Sequence, residues 1–149
     1  MSQPSASPSL VAQQVEQEHD ALRDLLGAIA KQFSQGPGAA RMVADDLSEL
    51  GDLLGRHFHT EEDAGFFAEI IDRDARFTGE ASRLCDEHAT MLRDAKSLAD
   101  RLSAADDAAA IWSELRSDFH ELSVQLMRHE GDENRLLQQA YVEDIGSKD

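Results

Sequence analysis

The chain has little of what a secreted, membrane-spanning or polyanion-binding protein needs. Its one cysteine, Cys85, excludes an intramolecular disulfide, in keeping with a reducing compartment. No stretch of eighteen consecutive apolar residues is present, so the sequence offers no transmembrane helix. The opening MSQPSASPSL has neither the basic nor the apolar region of a secretory signal, and a cytoplasmic location is expected. Positive charge is scarce: 14 Lys and Arg against 30 Asp and Glu give a formal charge of −16, which repels phosphate backbones and anionic lipid. Neither nucleic acid nor membrane is an expected partner. Strands also have nothing to grow from, since no alternating apolar and polar run occurs and the 3 prolines all lie outside the apolar stripes.

What is present is helical periodicity. Residues 1–9, rich in Ser, Pro, Ala and Gln, read as a disordered tail, and residues 146–149 as a short C-terminal tail, leaving one domain over 10–145. A first stripe of Val11, Val15, Leu22, Leu26, Ile29 and Phe33 ends at Gln35-Gly36-Pro37-Gly38, where a glycine cap meets a residue that cannot continue a helix. A second runs Ala40, Val43, Leu47, Leu50 and Leu54, with Ala64 and Ala68 extending it. The third takes Ala81, Leu84, Met91, Ala95, Leu98 and Leu102. The fourth, after an acidic N-cap at Asp106, takes Ile111, Leu115, Phe119, Leu122, Leu126, Leu136 and Ala140, ending near Asp144. Four long stripes joined by short connections predict an all-α, up-down-up-down four-helix bundle.

Each stripe is interrupted by one histidine at a seam position: His19, His57, His88 and His129. On two helices a glutamate follows one turn later, Glu61 after His57 and Glu133 after His129. Positions four apart on a helix lie about 40° apart in azimuth and about 6 Å apart along the axis, so each His-Glu pair faces the same way. Four imidazoles and two carboxylates buried in an apolar seam would be costly alone, and metal cations remove that cost. A carboxylate can bridge two cations while an imidazole supplies one terminal nitrogen, so this donor set suits a dinuclear centre. With no thiolate in the set, iron is the expected metal, although the donors would also admit manganese, zinc or copper.

The motifs around these residues are Glu18-His19-Asp20, His57-Phe58-His59-Thr60-Glu61-Glu62, Glu87-His88 with Leu92, and His129-Glu130-Gly131-Asp132-Glu133. In this order and register the chain resembles the hemerythrin-like, HHE cation-binding family, over residues 10 to about 145. The resemblance implies a bundle around two non-haem iron ions, oxo- or hydroxo-bridged, with the four histidines as terminal ligands and Glu61 and Glu133 as bridges. One departure stands out. Oxygen carriers of that family have a second histidine on the third helix, one turn from the first, where this chain has Leu84 and Leu92. Reversible oxygen carriage is therefore not the direct expectation. The ferritin-like pattern of two Glu-x-x-His pairs is a poorer match, since only Glu16 with His19 has that spacing.

The remaining polar residues have plainer readings. His59 is about 200° round the helix from His57, and His120 about 180° from His129, so both belong on the surface. Glu62 and Glu130, each about 100° from a ligand position, flank the site or face solvent. Glu16 and Glu87 could hydrogen-bond a metal-bound imidazole, and a solvated helix face accounts for them equally well. Cys85 reads as a small buried apolar residue, Tyr141 as a packing residue, and Met91, Phe58, Phe66 and Phe119 as a lining that keeps the centre dry. The expected function is binding of a small ligand, oxygen or nitric oxide, for sensing, delivery or iron handling. The alternatives are a di-iron enzyme consuming peroxide or reactive nitrogen species, and a metal-stabilised protein-binding module.

Overall fold

The computed structural model describes residues 9–146. Five α-helices follow one another: α1 Leu10–Ser34, α2 Ala40–Glu62, α3 Phe66–Arg73, α4 Thr78–Ala104 and α5 Ala108–Gly146. Four of them, α1, α2, α4 and α5, form the predicted all-α bundle, with α2 and α5 each packed between α1 and α4. Among the described residues no helix is long and apolar enough to cross a membrane.

The ends of the helices follow from local chemistry. Ser9 is the N-cap of α1: its Oγ accepts from the Ala12 amide at 3.1 Å, so it belongs to the helix start, and the rest of the predicted N-terminal tail lies outside the described residues. Gly36 at φ 93° and Pro37 turn the chain through a short 3-10 segment, Pro37–Ala39, straight into α2. Asp107, one residue beyond the expected Asp106, caps α5 by accepting from the Ala109 amide at 3.1 Å. That helix then continues to Gly146, past the predicted end at Asp144; residues 147–149 lie outside the described part.

The second stripe does not extend through Ala64 and Ala68, both of which are exposed. Helix α2 stops at Glu62, and Gly65, at φ 104°, supplies the left-handed step that a side-chain-bearing residue resists. The chain then folds back as α3, whose Phe66, Phe67 and Ile70 are buried.

This reversal places the polar seam. The core is divided into two apolar clusters. The larger holds Leu22 to Phe33 of α1, Val43 to Phe58 of α2, Met91 to Leu102 of α4 and Trp112 to Leu126 of α5. The smaller holds Ala12 and Val15 of α1, Phe66, Phe67 and Ile70 of α3, Phe77, Ala81 and Leu84 around the start of α4, and Leu136 and Ala140 of α5. Between them along every bundle helix falls a polar layer, at His19, at His57 and Glu61, at His88, and at His129 and Glu133. Because α2 ends one residue after Glu61, α3 supplies the apolar cover on that side.

Candidate metal centre

The polar layer is buried on all sides. His19, His57, Glu61, His88, His129 and Glu133 are each 3% exposed or less. Their donor atoms converge as two groups, each within 4.8 Å: His19, His57, Glu61 and Glu133 in one, and His88, His129, Glu61 and Glu133 in the other. The two carboxylates are common to both. Glu61 turns Oε2 to His57 Nε2 at 3.0 Å and Oε1 to His88 Nε2 at 2.9 Å. Glu133 turns Oε1 to His19 Nε2 at 3.0 Å and Oε2 to His129 Nε2 at 2.8 Å. Each carboxylate thus offers one oxygen to each pair of imidazoles.

The tautomers are set from outside the layer. His57 Nδ1 donates to Glu18 Oε1 at 2.7 Å, His88 Nδ1 to Glu62 Oε2 at 2.5 Å, and His129 Nδ1 to Glu87 Oε1 at 2.7 Å. A carboxylate can only accept, so Nδ1 carries the proton in each ring and the Nε2 lone pair is left to face inward. Glu18 is itself held by Thr60 Oγ1 at 3.0 Å and Gln14 Nε2 at 3.1 Å. Aromatic rings fix the imidazoles laterally: Phe58 stacks on His88 at 3.9 Å and 7°, and Phe67 lies 5.9 Å from the same ring.

The atoms of the layer themselves test whether a metal fits. Glu61 Oε1 and Oε2, Glu133 Oε2 and His57 Nε2 are buried, and although imidazole and carboxylate atoms approach to 2.8–3.0 Å, none of these four makes a well-directed hydrogen bond among the described residues. His88 Nε2 and His129 Nε2 face each other at 3.1 Å, although both rings already donate through Nδ1. Two opposed lone pairs repel unless an extra proton or a cation lies between them. Imidazole nitrogens and carboxylate oxygens without any thiolate form a donor set that first-row divalent metals accept. The residues fit a metal.

Without a cation, protons take over the charge balance. Burial alone would depress each imidazole, but the flanking carboxylates outweigh it. Glu133 and Glu61 raise His19 to about 9, Glu18 and Glu61 raise His57 to about 10, and Glu133, Glu61 and Glu62 raise His88 to about 9. His129, beside Glu133 and Glu61, is raised to about 11. Burial pushes Glu61 up, yet the surrounding imidazoles hold it well below the ordinary carboxylate range.

His59 and His120 are exposed, the former paired with Asp63 at 2.9 Å. Glu16 is exposed and plays no part in the layer; Glu18, two residues on and on the inner side of α1, holds His57 instead. Of the two readings open for Glu87 the structure shows the imidazole partner, and Glu62 flanks the site by holding another. Glu130 is buried, and burial raises its carboxyl. Cys85 is half-buried against the smaller apolar cluster, where burial and then Glu62 and Glu61 push its thiol up to about 11. Tyr141 packs inside, with its hydroxyl donating to Glu69 and accepting from the Ser9 amide. Leu84 is buried and Leu92 half-buried, so both positions one turn from His88 are apolar. Phe67 carries no signal of its own in the sequence, because Ala64 and Ala68 keep the phase of the second stripe and so hide the start of α3.

A helical bundle whose central layer gathers imidazoles and shared carboxylates defines a cation-binding bundle protein. The chain belongs to the hemerythrin HHE cation binding domain family, whose model matches residues 10–141. No curated protein and no solved structure matches it. Family and buried layer together support metal binding.

Proposed function

We propose that the chain is a non-haem di-iron protein that binds a small ligand, oxygen or nitric oxide, for sensing, delivery or iron handling. His19 and His57 would hold one iron, His88 and His129 the other, and Glu61 and Glu133 would bridge them. The observation that carries this reading is the sharing of both carboxylates: Glu61 and Glu133 each present one oxygen to each imidazole pair. Iron bound there would supply open-shell chemistry toward diatomic ligands. The residues around it orient and insulate. Glu18, Glu62 and Glu87 hold three imidazoles by Nδ1, while Phe66 and Phe67 cover the layer from the α3 side and Phe58 from the side of the larger apolar cluster.

A second reading, consumption of peroxide or reactive nitrogen species, draws support from Leu84 and Leu92. With apolar residues on both sides of His88, that half of the site has fewer nitrogen donors than an oxygen carrier. One experiment tests both. Protein from iron-replete cells is assayed for metal, reduced anaerobically, and exposed in turn to oxygen, nitric oxide and peroxide while its spectrum is followed. About two irons per chain and a reversible spectral change support ligand binding; sustained peroxide loss transfers support to the enzyme. A fully folded protein that takes up no metal refutes both.

A further inference from the structure

Three of the four imidazoles are held by a carboxylate, and their partners obey one rule. Each partner lies on the neighbouring helix of the bundle and sits next in sequence to a residue of the central layer. Glu18, just before His19 on α1, holds His57 of α2. Glu62, just after Glu61 on α2, holds His88 of α4. Glu87, just before His88 on α4, holds His129 of α5. Continued once more, the rule requires a carboxylate on α5, adjacent to His129 or Glu133, to hold His19 of α1.

Glu130 meets that description. It follows His129 on α5, and its side chain is 3% exposed, against 18%, 41% and 39% for Glu18, Glu62 and Glu87. It lies close enough to His19 for the two to interact electrostatically. Its Oε1 receives Arg23 Nη1 at 3.5 Å, and Arg23 also pairs with Asp20. Its Oε2 is buried with no hydrogen-bond partner among the described residues, and the same is true of His19 Nδ1. A buried donor and a buried acceptor, both left over on residues near enough to interact electrostatically, are what one ordered water can satisfy.

We infer that Glu130 is the fourth positioning residue, closing a ring of carboxylates around the imidazoles through one water between its Oε2 and His19 Nδ1. His19 Nδ1–H donates to the water, the water donates to Glu130 Oε2, and Arg23 fixes the opposite oxygen. His19 Nε2 is thereby kept inward, like the other three. The role rests on the metal-binding reading above, since a ring that orients imidazoles matters most when they ligate.

The test is anaerobic titration of metal-free protein with Fe2+, with Co2+ absorption as a second readout. Glu130→Leu should weaken one of two metal equivalents by about 10- to 100-fold, the usual range for losing such a partner, while Glu130→Gln, which can still accept, stays near wild type. A packing role would predict the reverse order, because Leu keeps buried bulk without a polar group that needs a partner. In a double-mutant cycle, Glu130→Leu should add no further loss to His19→Ala. A crystal structure of the loaded protein should show the water in contact with both atoms. Wild-type affinity in Glu130→Leu, or equal losses in Leu and Gln variants, overturns the ring. Absence of metal uptake by the wild type instead overturns the di-iron reading on which the ring depends.

Discussion

Phe58 is where stability and site geometry meet, and truncating it tests both. Its ring is 5% exposed, stacks on His88 at 3.9 Å and 7°, and lies 5.8 Å from His57 and 6.1 Å from His129. Phe58→Ala removes a buried ring from the seam between the larger apolar cluster and the polar layer, a change that costs about 3–5 kcal/mol. For a domain of this size each kcal/mol lowers the melting temperature by about 2–4 °C, so the expected drop is about 6–20 °C. Phe58→Leu keeps apolar bulk but not the ring face, and should retain a deficit of about 0.5–1.5 kcal/mol from the lost stacking. The assay is thermal unfolding by circular dichroism on metal-free protein, so that ligand linkage does not mask the packing loss. A Phe58→Ala protein within about 1 kcal/mol of the parent would refute the packing of this ring on His88.

Metal retention should separate the histidines by burial: His129→Ala loses bound metal, whereas the exposed His120→Ala keeps it, as metal analysis of the two purified proteins will show. Gly65→Ala places a side chain at φ 104° and should destabilise the turn between α2 and α3 by about 1–2 kcal/mol, measured by denaturant unfolding. The pH dependence of the metal-free protein has a definite sign. His19, His57, His88 and His129 are raised from 6.5 to between about 9 and about 11, so the stability they confer is fully present below pH 6.5 and is lost as the pH climbs through those values. Melting temperatures of chelator-treated protein should therefore fall between about pH 7 and pH 10; a rise across that range would contradict the raised imidazoles.

The bundle was legible because its signal is redundant. Seam residues such as Leu22, Leu47, Leu84 and Leu126 repeat at helical spacing, and every one of them is fully buried or nearly so. The convergence of His19, His57, His88 and His129 was equally legible, because a polar residue on an apolar stripe has only the core to enter. What periodicity could not convey was the break after Glu62. Ala64 and Ala68 keep the helical phase by chance, and only Gly65 hints at a reversal that tertiary packing of Phe66, Phe67 and Ile70 then fixes. The outer carboxylates were half legible. The sequence offers Glu87 as an imidazole partner but does not separate Glu18 from Glu16, since that choice depends on which side of α1 turns toward His57.

The layer's charge explains why one set of residues can serve two states. Glu61 and Glu133 lie inside it, and Glu18, Glu62, Glu87 and Glu130 lie around it, so six carboxylates surround four imidazoles. Among the described residues, the cations that reach these carboxylates from the rim are Arg23 at Glu130 and Arg83 at Glu87, and neither pairs with Glu61 or Glu133. In the metal-free chain the compensating charge is carried by protons on the imidazoles, which explains why those groups are raised despite their burial. A metal ion would compete with those protons for the same Nε2 lone pairs, while the Nδ1–H bonds to Glu18, Glu62 and Glu87 would persist in both states. The outer ring can therefore hold the rings in register before metal arrives, so that loading exchanges charge in the layer without first having to order it.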